Sequence, residues 1–518
     1  MVRTDAEPMS DPWYQNAVVY QIYPRSFLDT DGDGVGDLEG IRRRLDYIAG
    51  LGVDAVWISP FFRSPMKDYG YDVSDYTDVD PLFGTLDDFD RLLADAHARG
   101  LKILVDWVPN HTSDQHPWFV DARRSRSSPR RDWYVWRDGT PDRPPNNWRA
   151  AFAPEPAWTW DETTEQWYLH LFLPEQPDLD WNNPDVVAAM HDTLRFWLDR
   201  GVDGFRMDVV HLIGKGRELA DLPEHLAGVP ACALIDEART HELLRDLRRV
   251  LEGYDGDRVM VGEIYLLDTS RVATYYGRGD ELHLAFNFPP LYAPWDAGAW
   301  REAVEATETA LTERGGWPTW VLSNHDNPRH RTRYGSAARA RAAAVLLLGL
   351  RGTPFLYAGE EWGLEDATVA GDAVRDPGGR DGCRAPLPWD SSATHGWPTE
   401  TPWLPWPPDA DRRNAADLDA DGAEILALYR RLLALRRSSP ALRGGAQRIL
   451  TSPDGVLVWE RRAGEDLRVV AVNFTGDKKD LDLAGSWRVD ASTHDREAGG
   501  VFDGSLQGDE AIVLGRGA

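Results

Sequence analysis

Short apolar runs rich in β-branched residues alternate along this chain with longer stretches in which apolar residues recur every three or four positions. The first pattern predicts buried strands and the second predicts amphipathic helices. The strand-like runs fall at 17–23, 55–59, 102–108, 204–209, 259–264, 285–288, 319–323 and 354–357, with helical stretches such as 87–99, 185–200 and 339–348 between them. Strands that alternate with helices pair in parallel, and eight such units predict an α/β fold of the (β/α)8 barrel type.

Two interruptions break the alternation. Residues 111–184 carry eight tryptophans among many Pro and Asp, and 363–421 is Pro- and Trp-rich in the same way. Both are too long for plain connections and predict folded excursions. Ile425, Leu428, Tyr429, Leu432 and Leu435 share one face of a helix over 424–437, which Pro440 stops. Beyond Gly444 the period changes to two, at 456–459 and 469–474, which predicts a β domain. The expected organisation is a barrel from 1–110 and 185–443, an inserted subdomain over 111–184 and a C-terminal β-sandwich over 444–518.

At 518 residues the chain is long enough for two or three structural units. A net charge of -28 leaves no basic stripe for a phosphate backbone, so nucleic acid is not an expected partner. No run approaches the roughly 20 apolar residues that cross a bilayer, and the N-terminal stretch has no apolar leader core. No membrane contact is expected, and the reading is cytoplasmic. Cys232 and Cys383, the two cysteines, lack CxxC spacing and read as free thiols in a reducing compartment. The 23 tryptophans read mainly as core, although indole faces also pack on sugar rings.

In a barrel, reactive groups stand at the C-terminal ends of strands. Asp208 ends 204–208, Glu263 ends 259–263, Asp326 follows 320–325, Asp106 and His111 close the third strand, and Asp68 follows the second. Each carboxylate alone reads as a loop cap, but together they converge on one pocket. A carboxylate pair there is what glycosidic cleavage uses, with one group ionised and the other protonated. Strand alternation puts Arg206 on the same face as Asp208, where a guanidinium keeps a nucleophile ionised and aligned.

The segments Asp106-Trp-Val-Pro-Asn-His111, Gly204-Phe-Arg-Met-Asp208, Gly262-Glu263 and Asn324-His325-Asp326 resemble, in order, four signatures of the α-amylase superfamily, glycoside hydrolase family 13. Within it the chain resembles the α-glucosidase and oligo-1,6-glucosidase group. The resemblance implies Asp208 as nucleophile, Glu263 as acid/base, Asp326 as a third carboxylate gripping ring hydroxyls, and His111 and His325 as donors to those hydroxyls. Asp68-Tyr69-Gly70-Tyr71 resembles the element whose aspartate binds the terminal glucose and whose tyrosine stacks under its ring. Arg380-Asp-Gly-Cys-Arg384 resembles the one whose second arginine pairs with that aspartate. An Asp68–Arg384 pair would close the pocket beyond one glucose, as an exo-acting enzyme requires.

Val209 resembles the residue associated with α-1,6 cleavage, and Gln176-Pro-Asp-Leu-Asp180-Trp181 resembles the oligo-1,6-glucosidase form of a fifth signature. Asp180, where asparagine is expected, and Ile264-Tyr265-Leu266 depart from that form. The expected substrates are short α-1,6 and α-1,4 glucosides, with sucrose included. A transglucosidase with the same covalent intermediate and, more remotely, a catalytically silent interaction subunit stay open.

Asp29, Asp31, Asp33 and Asp37 alternate with glycines much like the start of a calcium-binding loop. With the Val35 carbonyl they form a candidate structural Ca2+ site, Mg2+ being the lesser fit. Related α-glucosidases place such a site away from the pocket. No organic cofactor is expected.

Overall fold

A computed structural model describes residues 12–152, 155–420 and 424–517. The N-terminal stretch read above for a leader lies, up to residue 11, outside the described residues. Eight parallel strands form the central sheet: β1 (Val19–Ile22), β2 (Ala55–Ile58), β3 (Lys102–Trp107), β4 (Gly204–Met207), β5 (Val259–Gly262), β6 (Leu284–Ala285), β7 (Thr319–Val321) and β8 (Thr353–Tyr357). Their order is β6-β5-β4-β3-β2-β1-β8-β7. All eight predicted strands are present, and several stop short where the chain turns into the site. The predicted 285–288 strand shrinks to Leu284–Ala285, sharing only Ala285 with it, because Phe288–Leu291 contains Pro289 and Pro290 and turns helical. Proline cannot donate to a ladder.

No backbone ladder joins β6 to β7 among the described residues, and side-chain hydroxyls close that seam. Thr319 Oγ1 donates to the Ala285 carbonyl at 2.6 Å, while Tyr276 OH accepts from Ala285 N at 3.0 Å and donates to the Trp317 carbonyl at 2.8 Å. Strand edges thereby find partners that the barrel's curvature withholds.

The helices lie outside the sheet. Leu86–Ala98 starts on a Thr85/Asp88 capping box, and Pro184–Arg200 starts on the Asn183 side chain with Pro184 in its first turn. Trp57, Trp107, Trp181 and Trp197 are fully buried, in keeping with core packing as the main use of tryptophan.

The C-terminal strands β9 (Ala446–Leu450), β10 (Val456–Ala463), β11 (Asp466–Asn473), β12 (Trp487–Ser492) and β13 (Ala511–Arg516) form one antiparallel sheet in the order β9-β10-β11-β13-β12. One face meets the barrel helix Ala337–Gly349, where Trp459 Nε1 and Arg461 Nη1 both donate to the Gly349 carbonyl, at 3.1 and 2.9 Å. The other face packs Val458, Val469 and Leu514 against Leu481 and Leu506. The second layer of the expected sandwich is thus built partly on a two-stranded ribbon, Lys479–Asp480 with Ser505–Leu506.

Within 111–184, the strands Trp136–Arg137, Gln166–Leu169 and Trp158–Asp161 form a small antiparallel sheet with Gln166–Leu169 central. Its apolar side, Trp148, Trp158, Trp167 and Leu169, shares one cluster with Val209, Leu212, Leu219 and Cys232 from the connection after β4. Lys215 fastens the two together. Its buried Nζ pairs with Asp178 at 3.0 Å and donates to Asn110 Oδ1 at 2.7 Å and to the Leu212 carbonyl at 3.0 Å.

Lys215→Met keeps the apolar stem but strands the buried Asp178 carboxylate, a loss of about 3–5 kcal/mol for a broken buried pair. Urea unfolding should show a lower midpoint, and limited proteolysis should cut first within 111–184. An unchanged midpoint would mean that the ammonium does not carry the attachment.

Candidate active site

The register of neighbouring strands assembles the charged centre. Asp106 on β3 stands beside Arg206 on β4, and Gly262 on β5 pairs with Met207, which sets Glu263 beside Asp208. The close approach of β4 and β5 requires glycine at 204, since a Cβ there would lie 2.4 Å from the Val259 carbonyl oxygen.

Arg206 is buried and serves three carboxylates at once. Its Nη1 donates to Asp106 Oδ1 at 2.9 Å and to Asp208 Oδ1 at 2.7 Å, and its Nη2 donates to Glu263 Oε2. Trp57 and Tyr71 rings flank the guanidinium at 5.2 and 5.7 Å. Trp57 Nε1 and Tyr71 OH donate to the remaining Asp106 oxygen, at 3.1 and 3.2 Å.

One cation cannot neutralise three buried acids, so the cluster retains protons. Burial pushes Asp106 up to about 6 against the pull of Arg206. Burial also raises Asp208, with Arg206 opposing and the Glu263 and Asp106 charges adding to the rise.

Val209 follows Asp208 in a left-handed conformation, φ 33° and ψ 40°. For a β-branched residue this stores strain of about 1–3 kcal/mol. It turns the Val209 N–H toward Glu263 Oε2 at 3.3 Å.

Asp326 is held from the opposite side. Arg380 Nη1 and Arg384 Nη2 each reach its Oδ1 at 3.0 Å, and His325 Nε2 lies 3.2 Å from its Oδ2. Burial alone would raise Asp326, but His325, Arg380 and Arg384 hold it well below the usual carboxylate range. His325 is itself pushed down to about 3 by burial, so it is neutral. The Gln21 amide donates to its Nδ1 at 2.8 Å, which leaves the proton on Nε2, facing Asp326 and Tyr71 OH.

The closed end differs from the sequence expectation. Asp68 pairs with Arg380 at 2.7 Å and accepts from Gln176 at 3.0 Å, and Arg384 does not reach it. The turn Asp381–Arg384 directs Arg384 inward, where its Nε donates to the His325 carbonyl at 2.7 Å, while Arg380 stands before that turn at the cavity wall. Asp376 grips Arg380 at 2.7 Å. His111 Nε2 lies 3.1 Å from both the Tyr71 carbonyl and Gln176 Nε2.

A cavity of about 480 Å³ opens over this centre. Asp68, Tyr71, His111, Asp208, Val209, Glu263 and Asp326 line it, whereas Asp106, Arg206, His325 and Arg384 stand behind them as supports. Among the described residues no tryptophan lines it; besides Tyr71, its aromatic walls are Phe152, Phe172, Tyr265, Phe288 and Tyr292. Sequence reasoning missed Gln21, a polar residue inside the apolar strand β1, and Asp376, which carries no local signal.

Asp29, Asp31 and Asp37 bring carboxylate oxygens within 4.8 Å of one another at a separate surface loop, and Asp33 stands outside that group, its Oδ1 accepting from Val35 N at 2.8 Å. Asp29 accepts three backbone N–H groups, from Asp31, Gly32 and Gly34, at 2.8 to 3.0 Å, so much of the loop's shape is internally bonded.

Removing the Asp106 charge should lower the proton affinity of Asp208, because that charge helps raise it. In Asp106→Asn the Asp208 carboxyl then ionises at lower pH, and the acid limb of kcat/KM moves to lower pH while kcat falls through misalignment of Arg206. A pH–rate profile of the variant checks the sign; a limb that stays or moves upward refutes the coupling.

Residues 21–445 match the family described as Alpha amylase, catalytic domain. The chain is 43% identical over 494 residues to a "Probable alpha-glucosidase" of Rhizobium meliloti (strain 1021), covering 89% of each. It is 36% identical over 516 residues to an "Oligo-1,6-glucosidase" of Parageobacillus thermoglucosidasius, covering 90% of this chain and 91% of that one. The crystal structure of an "alpha-glucosyl transfer enzyme" superposes with a TM-score of 0.90 at 41% identity, covering 98% of this chain and all of the other. Strand-end carboxylates, barrel topology and these matches agree, and the chain belongs to the α-amylase family of glycoside hydrolases.

Proposed function

We propose that this protein is a retaining, exo-acting α-glucosidase that releases glucose from the non-reducing end of short α-glucosides. The observation that carries the reading is the pairing of two features in one cavity. Asp208 and Glu263 share Arg206, and Asp68–Arg380 closes the far wall.

The chemistry follows from that arrangement. Asp208, aligned by Arg206, attacks the anomeric carbon while Glu263, in its acid form, gives its proton to the departing oxygen. Glu263 then deprotonates water, which cleaves the ester and restores the α-anomer. Asp326 stays ionised next to two arginines and is placed to accept hydrogen bonds from ring hydroxyls. Asp68 and Arg380 cap the terminal glucose, so a chain cannot thread through. Linkages of the α-1,6 and α-1,4 types both suit a pocket defined on the glucose side. The two buried free thiols, Cys232 and Cys383, suit a reducing compartment, and we place the enzyme in the cytoplasm. No helix among the described residues is long and apolar enough to cross a membrane.

The 29–37 loop is proposed to hold Ca2+. Asp29, Asp31 and Asp37 fit a hard cation through their clustered oxygens, with Asp33 and the Val35 carbonyl completing the set after a small shift. The ion would neutralise a clustered negative charge far from the chemistry.

Proton NMR of p-nitrophenyl α-glucoside cleavage tests the reaction. α-Glucose should appear first and Asp208→Asn should lose at least about 10³-fold in kcat, the scale of a removed nucleophile. β-Glucose as first product would overturn double displacement. For the loop, EDTA should lower the melting temperature and Ca2+ should restore it, with glucose release per folded enzyme unchanged; no shift would refute the ion.

A further inference from the structure

The N-terminal end of the barrel carries positive charge that the catalytic centre does not use. In a chain of net charge -28, Arg436, Arg437 and Arg443 meet at one pocket of about 270 Å³, together with Val18, Gly52 and Asp54. Val18 and Asp54 stand immediately before β1 and β2, while the arginines come from the helix Glu424–Ser438 and the short helix Pro440–Arg443. The reacting acids follow the opposite ends of the strands, so this pocket lies across the barrel from the cavity above them.

The protein leaves these cations poorly matched. Arg436 is fully buried; its Nη1 and Nη2 donate to the Leu348 and Gly352 carbonyls at 2.8 and 2.5 Å, and its Nε, also buried, has no acceptor among the described residues. Arg437 uses Nη2 on the Gly52 carbonyl at 3.1 Å, with Asp54 Oδ1 3.6 Å away. The Arg443 side chain has no hydrogen bond or ion pair among the described residues. Asp54 accepts from Val18 N at 2.9 Å. Burial raises Asp54, and the Val18 N–H and all three guanidiniums oppose that rise. Burial also brings Arg436 down to about 10, with Asp54 opposing and the Arg443 charge adding to the fall.

Three guanidiniums against one carboxylate leave a surplus of two positive charges at the pocket, and a phosphate monoester carries about -1.5 to -2 near neutral pH. Guanidinium forks match phosphate oxygens in pairs. At ~30 Å³ for a water, the pocket has room for about nine, more than a bare tetrahedral anion fills.

We propose that this pocket binds the phosphate group of a small solute, either inorganic phosphate or a phosphate monoester, and that the bound anion ties the entries of β1 and β2 to the last helices of the barrel. The exposed Arg437 and Arg443 close on the anion, and the buried Arg436 holds fixed positive charge behind them.

Isothermal titration calorimetry of the whole chain with inorganic phosphate, and separately with glycerol 3-phosphate, tests the site. One anion should bind per chain and raise the melting temperature, and Arg443→Gln should weaken binding about tenfold, the scale of one charge-assisted hydrogen bond. Because Arg443 has no partner to lose among the described residues, Arg443→Gln should melt with the wild type when phosphate is absent, which separates lost binding from lost folding. Tighter binding of glycerol 3-phosphate would assign the site to a monoester and the reverse order to the free ion; either order supports it. No heat and no melting shift with either probe at millimolar concentration would overturn the proposal. So would an affinity unchanged in both Arg443→Gln and Arg437→Gln, since the anion would then sit elsewhere. Arg314→Gln removes the same charge from an exposed position beyond the helix Ala297–Thr312, and an equal loss there would refute a defined site in favour of diffuse attraction. Glucose release enters none of these readouts, so their failure would leave the function proposed above standing.

Discussion

The site depends on a single guanidinium. Arg206 is buried among Asp106, Asp208 and Glu263, and every other feature of the centre follows from one positive charge facing three acids. Water cannot screen them there, so the deficit appears as retained protons. A glycosidase needs such imbalance, with one carboxylate aligned for attack while its neighbour holds a proton to give away. Trp57 and Tyr71 keep the guanidinium in plane, and Asp106 fixes its orientation from the next strand.

The third carboxylate is treated in the opposite way. Asp326 faces Arg380, Arg384 and a neutral His325, and is kept ionised. Two acid environments in one cavity thus have opposed proton affinities, the separation of roles that acid/base catalysis requires. Arg380 links this ionised acid to Asp68 and so joins the electrostatics of the centre to the shape of the pocket. The same cation that stabilises Asp326 also closes the cavity.

Rigidity comes from outside the centre. Lys215, an ammonium among oxygens, pins the 111–184 subdomain to the connection after β4, and that connection begins at the strained Val209. The subdomain and the loop after Asp208 share one apolar cluster, so a backbone conformation that would relax in isolation is held by packing on one side and by the Glu263 carboxylate on the other. The cavity's aromatic surface comes from Phe and Tyr on loops, while tryptophan is spent on the core.

The sequence by itself determined a parallel α/β fold and the acids that meet in its cavity. Alternating β-branched runs and 3.6-periodic stretches call for a parallel sheet, the motifs that resemble the α-amylase family select the barrel, and Asp208, Glu263 and Asp326 are legible because each follows a strand whose end faces the pocket. Strand alternation likewise put Arg206 beside Asp208. What the tertiary structure alone decided were choices among equivalent side chains. Arg380 and Arg384 lie four residues apart in one segment, and only the turn between them sends one to Asp68 and the other to the His325 carbonyl. Gln21 gains its partner His325 from a loop distant in sequence, and Lys215 gains its role from oxygens on three separate segments. Periodicity reports which face of an element is buried, whereas hydrogen-bond partners depend on how elements are brought together, and that information is held in the packing.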